Sequence, residues 1–158
     1  MKKDKIWGII LVVYVFLLIL FVVIKFDGSI NSISDRIDSI KESRSEGFWN
    51  YNLVLFRSIS HYLLHITSSH GYMNIIGNIV PFIPLGFLIP MNFNKYRTLV
   101  KTVFVSFISI IGVELFQFCT MLGHFDIDDI LLNTIGSLIG YFIFVTVAYS
   151  GTSGHFAG

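Results

Sequence analysis

The chain has 158 residues, of which 54% are hydrophobic and only 13% charged, and its mean hydropathy is +0.74. A soluble domain carries about 25% charged residues, so the composition excludes an ordinary soluble protein and predicts one domain of membrane-spanning helices. The net charge of +1 and the lack of a basic run argue against nucleic-acid binding. The single cysteine, Cys119, excludes an intrachain disulfide.

Four apolar stretches are long enough to cross a hydrocarbon core, which takes about 20 residues of helix. They are predicted at residues 6–24, 73–90, 99–122 and 127–149. The first follows Lys2, Lys3 and Lys5 but has no small-residue cleavage site, so it is interpreted as an uncleaved anchor. The expected fold is an all-α, four-helix transmembrane bundle over residues 1–149. The small, polar tail 150–158 is interpreted as a linker or a non-native remnant.

Positive charges predict the orientation of the bundle. Lysine and arginine precede the first span and recur between the second and third, at Lys2, Lys3, Lys5, Lys95, Arg97 and Lys101. Because cytoplasmic loops of membrane proteins are enriched in these residues, both termini are predicted to be cytoplasmic. The segment 25–72 and the turn 119–126 then face outwards, and the acidic residues cluster towards that outer face.

The outer segment is predicted to contain an amphipathic helix followed by an aromatic stretch. Isoleucines recur at helical spacing among charged residues in 29–46, as in a helix that lies on a membrane or on the bundle. The stretch 48–70 is rich in Trp, Tyr and Phe, which suits a membrane interface. It also contains Arg57, which could reach a lipid phosphate or form a structural salt bridge to Glu114 or Asp129.

Polar residues on three spans are predicted to meet at one depth, just below the outer surface. They are Asn74 and Asn78 on the second span, Glu114 and Gln117 on the third, and Asp126, Asp129 and Asn133 on the fourth. Members of each set are three or four residues apart and therefore share a helix face. Ionisable groups at membrane depth cost roughly 2.5–3.5 kcal/mol on insertion scales, so such groups usually serve a function.

Other residues of the fourth span are also assigned roles. Asp128 points away from the polar stripe of the fourth span and is assigned to the rim of the site. The stripe itself continues to Gly136 and Gly140, whose spacing predicts close helix packing, within the chain or between two copies.

The motifs around these residues resemble one family of bacterial membrane proteins. They are NLVLFRSI at 52–59, N-x-x-G-N-x-x-x-F-x-P-L-G-F at 74–87, E-x-x-Q at 114–117 and DIDDILLNTIGSLIG at 126–140. Together they are similar to the VanZ-like family, with departures at Leu55, Gly123 and His124. The resemblance implies a place in the bacterial cell envelope, an association with resistance to the glycopeptide teicoplanin, and a role for the polar positions named above, Asp128 included.

Four chemical roles are open for the acidic residues. Glu114, Asp126 and Asp129, with nearby amide oxygens, suit a divalent cation such as Mg²⁺ or Ca²⁺, which would hold the pyrophosphate of a lipid-linked precursor. The same carboxyls are candidate acid–base catalysts. An anionic pocket would also bind an amine, including the amino sugar of a glycopeptide. The fourth possibility is a hydrogen-bonded structural core.

We therefore expect a multi-pass membrane protein with an outward-facing polar pocket. Its ligand would be a membrane lipid, a lipid-linked cell-wall precursor or a glycopeptide, and no nucleic acid. The expected binding residues are Asn74, Asn78, Gln117, Asp128, Asn133 and Arg57. His61, His65 and His70 of the outer segment are expected to be surface residues that at most assist catalysis. The sequence has no nucleophile motif and no phosphate-binding loop to support an enzyme, so catalysis is left open. Homo-oligomer formation is left open as well.

Overall fold

The structure is a computed structural model that describes residues 2–24, 29–65 and 69–153. The α-helices are α1 (Lys2–Leu18), α2 (Ile30–Ser45), α3 (Arg57–Leu64), α4 (Ser69–Ile79), α5 (Ile83–Asn92), α6 (Leu99–Thr120) and α7 (Ile127–Ser153). A π-helical turn, Ile19–Val23, continues α1, and 3₁₀ turns occupy Val80–Phe82 and Asn94–Tyr96. The two-residue strands β1 (Tyr51–Asn52) and β2 (Phe125–Asp126) pair in parallel.

Among the described residues, four helical segments are long and apolar enough to cross a membrane. They are Lys5–Val23, Gly71–Asn92, Leu99–Thr120 and Ile127–Ala148. Each differs from its predicted span by no more than two residues at either end, so the all-α, four-span fold is confirmed. The helix α7 continues to Ser153, which makes the start of the predicted tail helical, while residues 154–158 lie outside the described part of the chain.

The second span is interrupted at its prolines. The 3₁₀ turn Val80–Phe82 separates α4 from α5, because Pro81 and Pro84 have no N–H to donate to the helix. The hydroxyl of Tyr14 on α1 donates to the carbonyl oxygen of Pro81 at 2.9 Å. A side chain thus bonds a carbonyl beside the break, as polar backbone at membrane depth requires, and it joins α1 to the broken span.

The helix α7 packs tightly against this broken span. A Cβ atom added to Gly86, Gly136 or Gly140 would lie 1.8–2.1 Å from a carbonyl oxygen of the facing helix. Non-bonded carbon and oxygen atoms do not approach each other so closely, so these positions require glycine. The small-residue spacing on α7 therefore serves packing within the chain, against Ile79 and Ile83.

The predicted amphipathic helix of the outer segment is α2, and two arginines attach it to the bundle. Arg36 donates to the carbonyl of Ile24 at 3.1 Å, and Arg44 donates to the carbonyl of Phe118 at 2.7 Å. These carbonyls lie at the C-terminal ends of the first and third spans, where the helix dipole favours a cation. On the face towards the bundle, Ile40 is buried.

One end of the bundle collects the acidic residues, and we call it the acidic end. It consists of the last turns of α1 and α6, the first turns of α4 and α7, and the segment 29–65. The connection between α5 and α6, with its basic residues, lies at the opposite end, which we call the basic end.

Candidate functional site

Asp128 holds the beginning of α3. Its Oδ1 accepts the N–H of Phe56 at 2.6 Å, and its Oδ2 accepts those of Ser58 and Ile59 at 2.8 and 3.2 Å. Phe56 has a φ of 66°, a left-handed conformation that a bulky residue rarely adopts, and these hydrogen bonds hold the backbone there. The Asp128 side chain is fully buried, so the predicted position on the rim of the site is wrong.

Asp126 connects the same loop to the beginning of α7. Its Oδ1 accepts the side-chain amide of Asn52 at 3.1 Å and the backbone N–H of Asp128 at 2.8 Å, while its Oδ2 accepts the hydroxyl of Ser58. The bond to Asp128 is an N-cap, which suits a carboxylate at a helix N-terminus. Both oxygens are thus engaged by the protein. Asn52 and Ser58 were missed by sequence reasoning, although they are the polar residues that flank an exposed apolar stretch.

Asp129 and Asn78 meet between α7 and α4, as their helix faces predict. The amide nitrogen Nδ2 of Asn78 lies 2.7 Å from Oδ1 of Asp129. Both residues line an open cavity of about 390 Å³ together with Asn74, the third predicted polar residue of this group. Apolar side chains complete the walls, namely Phe21, Val22, Met73 and Pro81. We call this the Asp129 cavity, and it combines hydrogen-bonding groups with an apolar lining.

Glu114 and Asn133 face each other between α6 and α7, one helical turn deeper than Asp129. Oε1 of Glu114 lies 3.5 Å from Nδ2 of Asn133, and both side chains are almost completely buried. Ser106 on α6 and Ser137 on α7 are buried on the same helix faces. Their hydroxyl oxygens have no hydrogen-bond partner among the described residues. Sequence reasoning did not include either serine in the polar group, although Ser106 lies two helical turns from Glu114 on one face.

Gln117 bonds to α1 and not to the acidic residues. Its Nε2 donates to the carbonyls of Val22 and Val23 at 2.8 and 3.2 Å, within the π-helical turn that ends α1. The predicted single pocket is therefore resolved into three groups. Asp126 and Asp128 organise a loop, Asn74, Asn78 and Asp129 line a cavity, and Glu114 and Asn133 lie inside the bundle.

This separation also concerns the predicted metal site. The described residues contain no group of three His, Cys, Asp or Glu side chains that could hold a metal ion. Glu114, Asp126 and Asp129 form no such group there, and a Mg²⁺ or Ca²⁺ site at these residues stays a prediction. The three side chains form no such group because the oxygens of Asp126 are directed to the protein's own donors, whereas Glu114 points into the helix interface.

Arg57 is exposed at the beginning of α3. It lines a second cavity of about 490 Å³ with Ser58, Ser60, His61, Tyr62 and Leu64. In the described part of the chain it forms no ion pair with a carboxylate, so the predicted salt bridge to Glu114 or Asp129 is absent. Its contact with a lipid phosphate stays a prediction. His61 and His65 are exposed and stack at 4.4 Å, and the side chain of His70 lies outside the described ones.

Tyr62 lies between this second cavity and the carboxylates. Burial raises the pKa of Tyr62 to about 12, and the negative charges of Asp129, Asp126 and Asp128 contribute, while a hydrogen bond with Ser58 acts in the opposite direction. Since an ordinary tyrosine pKa is about 10, the hydroxyl stays protonated throughout the physiological pH range. It supplies a neutral hydrogen-bond donor beside three carboxylates.

Comparisons with known proteins agree with the fold and the motifs. The VanZ/LLP1 family profile matches residues 11–148. Among curated proteins, Protein VanZ of Enterococcus faecium is 35% identical over 78 residues. That match covers 49% of this chain and 48% of the relative, so it spans about half the relative's length. No solved structure matches the chain. Because the profile covers most of the chain, including the polar positions on the last three spans, this membrane protein belongs to the VanZ/LLP1 family.

Proposed function

We propose that the protein lies in the bacterial plasma membrane with its acidic end facing outwards and both termini in the cytoplasm. The positive-inside rule supports this orientation, because Lys95, Arg97 and Lys101 lie at the basic end. Lys5, at the beginning of the first span, belongs to the same end. In this orientation Arg36 and Arg44 lie on the outer side, against the rule. Their hydrogen bonds to carbonyls at the C-terminal ends of two helices account for these two positive charges.

We propose further that the Asp129 cavity binds the polar head of a ligand at the outer leaflet. The ligand class is a membrane lipid, a lipid-linked cell-wall precursor or a glycopeptide, and its binding contributes to protection against teicoplanin. One observation carries this proposal. Asp129, Asn78 and Asn74, three of the polar residues expected from the sequence, line one open cavity whose other walls are apolar. The resemblance to teicoplanin-resistance proteins supports the biological role.

The chemistry of the cavity supports binding to a hydrogen-bond donor. Asp129 is half-buried, and its carboxylate interacts more strongly with a donor there than it would in bulk water. Phe21, Val22 and Met73 offer apolar contacts to the part of the ligand that enters the membrane. Such a division between polar and apolar walls is typical of pockets that orient a ligand with a few polar groups.

The test is the Asp129→Asn variant in cells that depend on this protein for growth in teicoplanin. We expect the minimum inhibitory concentration to fall to that of cells without the protein, with membrane abundance and the thermal midpoint in detergent unchanged. Asn78→Ala is expected to give a partial loss, because it removes one partner and keeps the carboxylate.

The matched control is Asp35→Asn on the exposed face of α2, which removes the same charge far from the cavity and should leave protection intact. Full protection by a normally folded Asp129→Asn protein would overturn the proposed role of the cavity.

A further inference from the structure

An exposed apolar turn connects β1 to α3, and we call residues 53–56 the apolar turn. All four of its side chains are large and apolar, and each is 48–61% exposed: Leu53, Val54, Leu55 and Phe56. A contiguous apolar patch on a protein surface marks contact with a membrane or with another protein. The surroundings of the turn decide between these two occupants.

The apolar turn lies beside the third span. Leu53 lines an apolar cavity of about 200 Å³ together with Leu115 and Phe118 of α6. Leu115 precedes Thr120, the last residue of α6, by about 7.5 Å along the helix axis. Because the 22 residues of α6 extend about 33 Å and a hydrocarbon core is about 30 Å thick, Leu115 lies inside the core. The turn that shares a cavity with Leu115 is therefore at membrane depth.

The N–H groups of this non-helical segment are bonded by the protein itself. The N–H of Val54 donates to Oδ1 of Asn52 at 3.1 Å. The N–H of Phe56 donates to Oδ1 of Asp128 at 2.6 Å, and the N–H of Arg57 donates to the carbonyl of Val54 at 3.3 Å. Irregular backbone is tolerated at membrane depth only where such partners replace water. The turn is thus prepared for contact with hydrocarbon.

A cation follows the apolar turn directly. Arg57 begins α3, is exposed, and has no carboxylate partner within the ranges that the structure describes. It lines the cavity of about 490 Å³ reported above, which we call the Arg57 cavity. None of the other lining side chains is acidic: Ser58, Ser60, His61, Tyr62 and Leu64. A guanidinium can bind a phosphate through two parallel hydrogen bonds, so this wall suits a phosphate group.

The carboxylates near α3 lie on the other side of Tyr62 and do not line the Arg57 cavity. Two of them, Asp126 and Asp128, accept hydrogen bonds from Ser58. Since charge interactions weaken with distance and are screened in an open cavity, the guanidinium in the wall determines the charge that a ligand meets there.

The order of these groups matches the cross-section of one leaflet. Head groups and interface add about 5–7 Å to each side of the hydrocarbon core. An arginine next to apolar residues at the edge of the core can extend its long side chain into that layer, where the lipid phosphates lie. A soluble protein partner would not require the turn to lie at the depth of a span.

We propose that the apolar turn inserts into the leaflet at the acidic end and that Arg57 binds the phosphate of a phospholipid in that leaflet. The inference goes beyond the proposed function, because it does not involve the Asp129 cavity and holds on whichever side of the membrane the acidic end lies. It also gives the carboxylate of Asp128 a second role, since that carboxylate bonds backbone that enters the leaflet.

The first test measures the depth of the apolar turn. Leu55→Cys in a Cys119→Ser protein is labelled with an environment-sensitive fluorophore and reconstituted into phospholipid vesicles, with iodide on both sides of the membrane. We expect quenching by lipids that carry a spin label near the glycerol end of the chain, and several-fold weaker quenching by iodide than at a control label. The control is Asp35→Cys on the exposed face of α2, at the same end of the protein. Equal iodide quenching of the two labels would place the turn in water and overturn its insertion.

The second test measures the contact with phosphate at the same label. The labelled full chain in detergent is titrated with phosphatidylglycerol or with diacylglycerol, both carrying the same spin-labelled chain, so that quenching reports only lipid beside the turn. We expect phosphatidylglycerol to bind at least tenfold more tightly. Arg57→Gln should reduce its affinity to that of diacylglycerol, and Arg57→Lys should keep part of the difference, because an ammonium retains the charge without the paired geometry.

The matched control for the charge is Lys41→Gln, which removes a cation from the exposed face of α2 at the same end and should leave both affinities unchanged. Equal affinities of the wild type for the two lipids, or equal losses in Arg57→Gln and Lys41→Gln, would overturn the phosphate contact. Displacement of phosphatidylglycerol by inorganic phosphate at the same concentration would identify a soluble phosphate ligand and overturn the choice of a phospholipid.

Discussion

Asp128 and Asp129 are adjacent in the chain, and the helix turns their side chains about 100° apart. One carboxylate is directed into the protein, where it accepts three backbone N–H groups, and the other is directed to a cavity. Substitutions that remove the same charge should therefore have different consequences at the two positions. Asp128 is predicted to determine stability and Asp129 function.

Asp128→Asn is expected to destabilise the protein by about 3 kcal/mol, because hydrogen bonds to a charged acceptor contribute roughly 1.5–3 kcal/mol each and one amide nitrogen would oppose a backbone N–H. The thermal midpoint of unfolding in detergent is measured from tryptophan fluorescence in the same way for each variant. Asp35→Asn on the exposed face of α2 is the control. A midpoint equal to that of the wild type would show that the buried cap adds nothing to stability.

Sequence reasoning was able to predict side-chain pairs on regular helices but not bonds to backbone. The contact between Asn78 and Asp129 follows from four-residue spacing on two spans whose directions were known. The partners of Asp128 are N–H groups, which every residue except proline carries, so the sequence contains no signal for them. Gln117 was assigned to the acidic residues for the same reason, since its partners are carbonyls of a π-helical turn.

At the scale of elements, the most tightly packed contact is between α7 and the broken second span. The carbonyls of Ile79 and Ile83 lie against Gly136 and Gly140, and the spacing of these glycines predicted a packing face without naming its partner. The spacing of small residues shows that a helix has a close-packing face but not which helix covers it. The structure shows that the chain's own second span covers this face.

Gly140→Ala is expected to lower the thermal midpoint, because its Cβ would lie 1.9 Å from the carbonyl oxygen of Ile83 and the helices would have to separate. Overpacking of this kind costs typically about 1–3 kcal/mol. Gly112→Ala on α6 is the matched control, since its Cβ would meet no atom within 4 Å. That variant should keep the wild-type midpoint or exceed it, by up to about 1 kcal/mol of helix propensity. Equal losses from both substitutions would contradict this account of the packing.

The helix α2 shows what the spacing of residues can and cannot predict about an element. Its isoleucine spacing predicted the helix and its buried face, and Ile40 is buried as expected. Its attachment through Arg36 and Arg44 was not predictable, because the acceptors are the carbonyls at the ends of two spans.

For the whole molecule, hydropathy was sufficient to place all four spans, because crossing a membrane requires about 20 apolar residues whatever their detailed packing. The polar residues were correctly expected near one end, yet a common depth does not establish a common site. Asp126 and Glu114 do not line the Asp129 cavity, because Asp126 bonds to Asn52 and Glu114 faces Asn133 between α6 and α7. Residues at the same depth form one binding site only if they also lie close together in the plane of the membrane.

The proposed orientation can be tested with single cysteines in a Cys119→Ser background. A cysteine replacing Asp35 on α2 should react with a membrane-impermeant maleimide in intact cells, because α2 lies at the acidic end. A cysteine replacing Lys95, at the basic end, should react only after the membrane is permeabilised. The reverse pattern would place the acidic end in the cytoplasm and would contradict a ligand at the outer leaflet.

The capping of α3 by Asp128 also has a consequence for biosynthesis. Ser58 and Asp128 are 70 residues apart in the chain, and the second and third spans lie between them. Since a nascent chain is made from its N-terminus, α3 leaves the ribosome long before the carboxylate that orders its first turn. The bonds of the acidic end can therefore form only after α7 has been made, and that helix brings both Asp128 and the cavity residue Asp129. Insertion of α7 thus completes the cap of α3 and the cavity together.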